Sequence, residues 1–157
     1  MYIVRRAEIK DTDAILKLLL QVNMVHHIGR PDIFNGPVTK YNGEELAQII
    51  SNDETPVFVC EEENGQVAGH AFCIHKPAPD DELFTDINTL YIDDICVDEN
   101  YRGKGIGRAL YDHVLNYAKQ NGFYNITLNV WECNPGAKKF YESLGMSVQK
   151  IGMEYIL

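Results

Sequence analysis

The sequence predicts a single domain of layered α/β type (α+β in its strand pairing), built on a largely antiparallel sheet. Helical and strand-like hydrophobic periods alternate along residues 1–157, as they do in layered domains. No repeat or Pro/Ser/Gly-rich linker divides the chain, and its 157 residues match the usual size of one domain. An Asn64-Gly65 turn between two apolar runs predicts an antiparallel hairpin in the middle of the chain.

The first half of the chain is predicted to hold a strand, two helices and that hairpin. Residues 2–9 have the composition of a strand, and Asp11 is placed to cap a helix with an apolar stripe at 3.6-residue spacing. An irregular, Gly- and Pro-containing loop follows at 26–41, and residues 42–52 predict a short second helix. The hairpin then occupies residues 57–74.

The second half begins with an acidic loop at 76–88, which contains two prolines. The elements after this loop are bounded by clear signals: glycines that end helices, strict alternation in a half-buried strand, and an Asn-Pro helix start. They are a strand at 89–97, a helix from Ile106 to Gly122, a strand at 125–130, a short helix capped by Asn134 and a final strand at 146–157. One β–α–β unit therefore lies near the end.

Composition and charge indicate which classes of ligand and partner the chain can bind. Fourteen Lys and Arg residues against 23 Asp and Glu residues give a net charge of −9, which disfavours nucleic acid and favours cationic ligands. Four cysteines show neither metal-ligand spacing nor the density of a disulfide framework, so no metal is expected. The chain begins without a signal-peptide pattern, and its longest apolar stretch is too short to span a bilayer. We therefore expect a reduced, cytoplasmic protein that does not bind membranes.

The most informative segment is a glycine-rich loop at 102–107, Arg-Gly-Lys-Gly-Ile-Gly, which follows a strand and opens a helix. Glycines allow a phosphate to approach the backbone, and the first turn of a helix offers free N–H groups. Arg102, Lys104 and, just after the loop, Arg108 add positive charge to an otherwise acidic chain, which favours a diphosphate. A P-loop would need Ser or Thr after Lys104, and the dinucleotide fingerprint would place its last glycine one residue later than Gly107.

This segment resembles the acetyl-CoA motif of the GCN5-related N-acetyltransferases (GNAT), R/Q-x-x-G-x-G/A. Residues 91–97 resemble the fourth strand of that family, and residues 134–135 and 140–146 resemble its second conserved region. The resemblance covers nearly the whole chain. It implies a twisted, mostly antiparallel sheet of six to seven strands with about four helices on both faces, an acetyl-CoA cosubstrate and, as is common in the family, a homodimer.

The same resemblance implies site residues. Tyr141 stands where the family places the acid that protonates the departing sulfur, although it also fits a core aromatic of the last helix. Asn134 would contact the pantetheine or acetyl region, and its role as a helix cap is equally compatible. The residues whose backbone would hold the cofactor are Ile95, Cys96 and Val97 for the pantetheine arm, and Arg102, Gly103, Lys104, Gly105, Ile106 and Gly107 for the pyrophosphate.

Asp93 and Asp94 are the candidates for the base. They resemble the acidic pair of polyamine- or diamine-type members, where such residues orient the cationic amine or relay its proton through water. Neighbouring residues in a regular strand face opposite sides, so only one is expected to face the acceptor directly. Solvated carboxylates at a strand end would be the structural alternative, and Glu132 is a weaker third candidate.

The resulting hypothesis is an enzyme that transfers an acetyl group from acetyl-CoA to a primary amine by direct attack in a ternary complex. The acidic loop and the acidic pair favour a small cationic acceptor. Two alternatives stay open: a non-catalytic sensor or scaffold that binds acetyl-CoA, and acetylation of a protein amine.

Overall fold

A computed structural model describes residues 1–157, which form a mixed five-stranded sheet and four α-helices. Two short 3-10 turns lie at Ile9–Asp11 and Glu99–Tyr101. In chain order, the elements are β1 (Tyr2–Arg6), α1 (Thr12–Gly29), α2 (Gly43–Ile50), β2 (Val57–Glu62), β3 (Val67–Lys76), β4 (Thr89–Val97), α3 (Ile106–Gln120), β5 (Asn125–Leu128) and α4 (Pro135–Ser143).

The strands follow one another across the sheet in the order β1-β2-β3-β4-β5. The first four pair antiparallel, and β5 joins β4 in parallel through the crossover helix α3. The predicted hairpin is confirmed: Gly65 takes the left-handed φ of 82° that its turn requires, and β2 pairs with β3.

The expected count of six to seven strands is wrong, because residues 146–157 form no strand within this chain. None of residues 147–157 makes a backbone hydrogen bond, and all eleven side chains are exposed. Alternating apolar residues favour a strand, but a strand also needs a neighbour that supplies hydrogen bonds. The preceding strand β5 is likewise shorter than predicted, ending at Leu128 instead of 130.

Helices cover both faces of the sheet, as predicted. On one face, α1 and α2 bury Ile15, Leu19 and Leu46 against β2 and β3, with Phe72 in the same cluster. On the other face, α3 buries Leu110 and its neighbours, and α4 adds partly buried side chains. Two apolar layers therefore hold the sheet on both sides, which leaves the ends of its strands available for a site.

Helix α1 is longer than the sequence predicted. It ends at Gly29, so His26 and His27 lie in its last turn and not in an irregular loop. The His27 ring nitrogen Nδ1 lies 2.6 Å from the carbonyl oxygen of Phe34, which folds the following loop back over the helix end. No helix combines the length and the apolarity that a membrane crossing requires.

Candidate active site

The glycine-rich loop forms an open cradle of backbone N–H groups at the start of α3. Strand β4 ends at Val97, the chain makes a 3-10 turn, and Gly103 and Gly105 then take left-handed φ values of 77° and 81°. Gly105 is the N-cap of α3 and has no side chain to satisfy the helix end. The amides of residues 103–108 donate to no acceptor within the chain. They are available to an anion.

Three glycines of this loop serve two different purposes. A Cβ atom at Gly103 or Gly105 would meet no heavy atom within 4 Å, so these positions require glycine for their backbone angle and leave the cradle open. A Cβ at Gly107 would lie only 3.2 Å from Cζ of Phe140. That third glycine therefore allows α3 to pack closely against α4, which brings the second predicted region beside the cradle.

Strands β4 and β5 separate just before the cradle. Their pairing ends at Ile92 with Leu128, whereas β4 continues to Val97 and stays bonded to β3 as far as Gly69. The edge of β4 over residues 93–97 that faces away from β3 is therefore unpaired. Ile95, Cys96 and Val97, the residues predicted to hold the pantetheine arm, lie on this segment. A backbone edge of this kind can hydrogen-bond the amides of an extended ligand.

The acidic pair does not take opposite sides of the sheet, and this expectation was wrong. Cys73 pairs with Ile92 and Phe72 pairs with Asp94, so Asp93 is the extra residue of a β-bulge. The bulge breaks the alternation of side chains. Both carboxylates therefore come to the side of the sheet where Phe72 lies, each held by a different partner.

Asp94 is held by a residue that sequence reasoning missed. The ring nitrogen Nε2 of His70 lies 2.7 Å from Oδ2 of Asp94, and the His70 side chain is fully buried. Its other nitrogen, Nδ1, is buried without a partner, so the proton that can be used in a hydrogen bond lies on Nε2. The ring therefore donates to Asp94 and fixes the carboxylate. A histidine inside the apolar run of β3 was the signal that could have found it.

Asp93 is held by a loop that precedes α2. The ammonium group of Lys40 forms an ion pair with Oδ2 of Asp93, and the Tyr41 hydroxyl lies 3.5 Å from the same oxygen. Tyr41 also stacks on Phe72, with ring centroids 6.0 Å apart. The site thus already presents a primary ammonium group to one of its two carboxylates.

Tyr141 lies on α4 and packs against the apolar layer beside α3. Its ring packs near Phe140 and Tyr111, at centroid distances of 5.1 and 6.4 Å, and its hydroxyl makes no hydrogen bond within the chain. Burial raises the pKa of Tyr141 well above its usual range, and the nearby negative charge of Asp94 raises it further. The hydroxyl therefore keeps its proton at neutral pH, as an acid must.

The remaining candidates are Asn134 and Cys96, whose side chains have structural roles, and Glu132. The side chain of Asn134 accepts a hydrogen bond from the amide of Ala137 at 3.3 Å, which confirms its capping role and leaves its contact with a cofactor a prediction. Burial raises the pKa of Cys96 to about 12, and its thiol donates to the Leu18 carbonyl, so only its backbone suits the site. Glu132 is exposed. No group of His, Cys, Asp or Glu side chains is arranged to hold a metal ion.

Curated relatives match parts of this sequence. The chain is 34% identical over 106 residues to an uncharacterized N-acetyltransferase of Methanocaldococcus jannaschii, which covers 66% of this chain and 44% of the relative. It is 33% identical over 93 residues to the ribosomal protein bS18-alanine N-acetyltransferase of Escherichia coli, covering 59% of this chain and 56% of the enzyme. The matched segment thus spans about half the length of these curated relatives.

Solved structures resemble the whole chain. A mutant protein from Bacillus halodurans superimposes with a TM-score of 0.94 at 32% identity over 99% of each chain. Glucosamine-6-phosphate N-acetyltransferase of Arabidopsis thaliana superimposes with a TM-score of 0.72 at 26% identity, covering 99% of this chain and 98% of the enzyme.

A model of the acetyltransferase (GNAT) family matches residues 23–146, a range that includes the acidic pair, the cradle and Tyr141. Together with the cradle before α3 and the separation of β4 from β5, this match shows that the chain belongs to the GNAT family of acetyltransferases.

Proposed function

We propose that the protein is an N-acetyltransferase that moves the acetyl group of acetyl-CoA to a primary amine of a small cationic acceptor. The observation that carries the proposal is the arrangement along one strand: β4 bears a carboxylate pair at its bulge, then an unpaired backbone edge, then the cradle. These three features suit an amine, an extended pantetheine arm and a diphosphate, in that order.

The cradle supplies the cofactor end of the site. Free amides of residues 103–108 would hold the pyrophosphate, with positive charge from Arg102, Lys104 and Arg108 nearby. The backbone of Ile95, Cys96 and Val97 would bond the pantetheine arm, and one N–H of this segment would polarise the thioester carbonyl. The open space above Gly103 and Gly105 fits such a ligand.

Side chains of this protein would take a proton from the amine and give a proton to the departing sulfur. An amine with a pKa of about 10.4 is mostly protonated at neutral pH and must lose a proton before it attacks. Asp94 is the better candidate to take that proton, directly or through water, because Lys40 already occupies Asp93. The amine then attacks the thioester carbon, the carbon–sulfur bond breaks, and the Tyr141 hydroxyl donates its proton to the sulfur. The acetylated nitrogen loses its second proton and Tyr141 is reprotonated, so that the whole reaction releases one proton. This route needs both reactants bound together.

The charge of the site supports a cationic acceptor, of the polyamine or diamine type. Asp93 binds the ammonium group of Lys40, which is itself a primary amine on a flexible chain. The acidic loop at 76–88, which precedes β4, adds four carboxylates to the surface of the chain. Glucosamine 6-phosphate, the substrate named for the Arabidopsis relative, would bring a phosphate to this acidic surface and suits it less well.

A protein amine is the second candidate acceptor. The Escherichia coli relative is named for an alanine of a ribosomal protein, and its matched segment covers 59% of this chain, against 40% for the segment shared with the Arabidopsis enzyme. A sensor that binds acetyl-CoA without turnover is the alternative in which the protein is not an enzyme. The free Tyr141 hydroxyl and the fixed Asp94 carboxylate favour turnover over this alternative.

The first test is a thermal shift with acetyl-CoA, followed by thiol release from the same sample across a panel of acceptors. The panel contains spermidine, a diamine, lysine, a peptide with an N-terminal alanine, and glucosamine 6-phosphate as the anionic control. Stabilisation with release on the cationic amines supports the proposal. Release only on the peptide selects the protein acceptor, stabilisation without release selects the sensor, and no stabilisation refutes the cofactor site.

We also propose a reducing, cytoplasmic location. The support is that all four cysteines are free thiols, and that Cys60, Cys73 and Cys96 are buried.

A further inference from the structure

The loop that joins α1 to α2, residues 30–42, crosses the gap between β4 and β5. Near its start, the Phe34 ring lies edge-on to Trp131, which follows β5, with ring centroids 5.0 Å apart. Near its end, the Lys40 ammonium group forms an ion pair with Asp93 at the bulge of β4. Because the two strands separate before this point, the loop contacts both sides of the gap and brings a primary amine to it.

The backbone at Lys40 is anchored, and its side chain is only half buried. The next residue, Tyr41, stacks on Phe72, and its hydroxyl lies 3.5 Å from the Asp93 oxygen that accepts from Lys40. The Lys40 side chain is 51% exposed, whereas that of Asp93 is 15% exposed. The carboxylate is therefore fixed within the site, and the amine lies at its open side on a flexible four-carbon stem.

This amine lies close to the place proposed for the thioester. Ile95, the first residue proposed to bond the pantetheine arm, follows Asp93 by two positions, which is about 7 Å along an extended strand. The unpaired edge of β4 begins at the same residue as the ion pair. Rotation of the lysine stem, without movement of the loop, is therefore enough to carry Nζ from the carboxylate to a thioester bound there.

We propose that Lys40 is itself an acetylation site: with acetyl-CoA bound, the protein transfers the acetyl group to Nζ of Lys40 in the same chain. This inference rests on the proposed acetyl transfer and adds a second acceptor, which the fold supplies. Burial lowers the pKa of Lys40, but the hydrogen bond to Asp93 and its charge hold that pKa above its ordinary value. The resting ammonium form therefore makes the modification slower than transfer to an external amine.

The transfer balances without a further reactant. Nζ gives one proton to the Asp93 carboxylate, which already accepts its hydrogen bond, and the free amine attacks the thioester carbon. The carbon–sulfur bond breaks, and Nζ loses its second proton as the amide forms. One proton ends on the sulfur of CoA, and the other is released to solvent. The product is a neutral amide, so Asp93 loses its ion pair and becomes available to the ammonium group of an external acceptor.

Peptide mass spectrometry measures this transfer in the purified chain, incubated with acetyl-CoA and no added amine. Lys10 is the matched control, because it is 63% exposed, pairs with the Glu8 carboxylate and follows β1, three strands away from β4. Proximity to the bound thioester should acetylate Lys40 about 100-fold faster than Lys10. Equal rates at the two lysines would indicate uncatalysed acetylation from solution and overturn the proposal.

Dilution and variants show where the reaction occurs. At saturating acetyl-CoA the Lys40 rate should not change when the protein is diluted, since donor and acceptor share one chain; a rate that falls on dilution overturns transfer within the chain. At low acetyl-CoA, Gly105→Glu should slow the modification relative to Gly105→Ala, and equal rates count against the proposal. Lys40→Arg, which keeps the positive charge, should gain no acetyl group on the same timescale.

Thiol release on external amines, measured on the same batch, separates this inference from the proposed function. Release on spermidine with an unmodified Lys40 overturns the self-acetylation alone. A modified Lys40 without release on any external amine supports the self-acetylation and overturns the small cationic acceptor. The absence of both reactions overturns both proposals.

Discussion

The substitution Gly105→Glu tests whether the loop before α3 holds the diphosphate. Gly105 takes a φ of 81°, and a side chain there would extend into space that contains no protein atom within 4 Å of its Cβ. Any L-residue at this position strains the backbone by about 1–2 kcal/mol. Gly105→Ala carries the same strain without the charge, so the comparison between the two variants isolates the effect on the cradle.

The size of that effect follows from the charge placed in the cradle. A carboxylate about 5 Å from one phosphate charge costs roughly 1–3 kcal/mol as the effective dielectric constant falls from about 80 to about 20. Because about 1.4 kcal/mol corresponds to a tenfold change, acetyl-CoA should bind Gly105→Glu about 5- to 150-fold more weakly than Gly105→Ala. Loss of the open space should increase this difference further.

The assay is isothermal titration with acetyl-CoA, with urea unfolding of the same samples to confirm equal stability. Both variants should be destabilised alike, and only Gly105→Glu should lose the additional affinity. The difference should shrink in high salt, because part of it is electrostatic. Equal affinity of Gly105→Glu and Gly105→Ala would show that the phosphate does not lie over this glycine, and the cofactor site would have to be sought elsewhere.

Three further substitutions test the side chains. Tyr141→Phe should lower kcat about 100-fold and leave the acetyl-CoA Kd unchanged, because it removes only the proton donor; an unchanged kcat would exclude Tyr141 as the acid. His70→Leu should lower kcat/KM, because the Asp94 carboxylate loses the hydrogen-bond donor that fixes its position, and His70→Gln should restore part of the loss. Asp11→Asn should lower the free energy of unfolding at pH 7 by about 1–3 kcal/mol through loss of the Arg5 pair. Burial acts to raise the pKa of Asp11, but hydrogen bonds from Arg5 hold it below its ordinary value of 3.8. In urea titrations, the stability difference between Asp11→Asn and the wild type should therefore persist above pH 3.8. It should vanish as the pH falls through the lowered pKa of the folded state.

Local patterns predicted the elements whose signals are complete within a few residues. Strand β4 was predicted with its observed bounds, and the turn at Asn64-Gly65 identified the hairpin. The cradle was also predictable, because left-handed glycines at a helix start are encoded by the residues themselves. The capping by Asn134 followed from the same kind of local rule.

Features that depend on contacts between distant segments were not predictable from one sequence. The bulge at Asp93 arises from the register between β3 and β4, so alternation along β4 alone gave the wrong sides for the carboxylates. His70 matters because it lies on a neighbouring strand, 24 positions before Asp94. The C-terminal segment is a second case: its alternation predicts a strand, but the segment has no neighbour to bond to and forms none.

The bulge also explains how β4 can carry a pair of carboxylates and also lead into an anion-binding loop. Beyond the bulge, β4 runs towards free N–H groups and basic side chains, whereas at the bulge it gathers two carboxylates on one side. A regular strand would have placed one of those carboxylates in the apolar layer beside α3, where it would be costly to bury. With the bulge, His70 fixes the Asp94 carboxylate, and Lys40 forms an ion pair with Asp93. The ammonium group of a cationic acceptor would compete with that of Lys40 for the Asp93 carboxylate. A net charge of −9 and an anion cradle are therefore compatible, because the strand separates the two ends of the site.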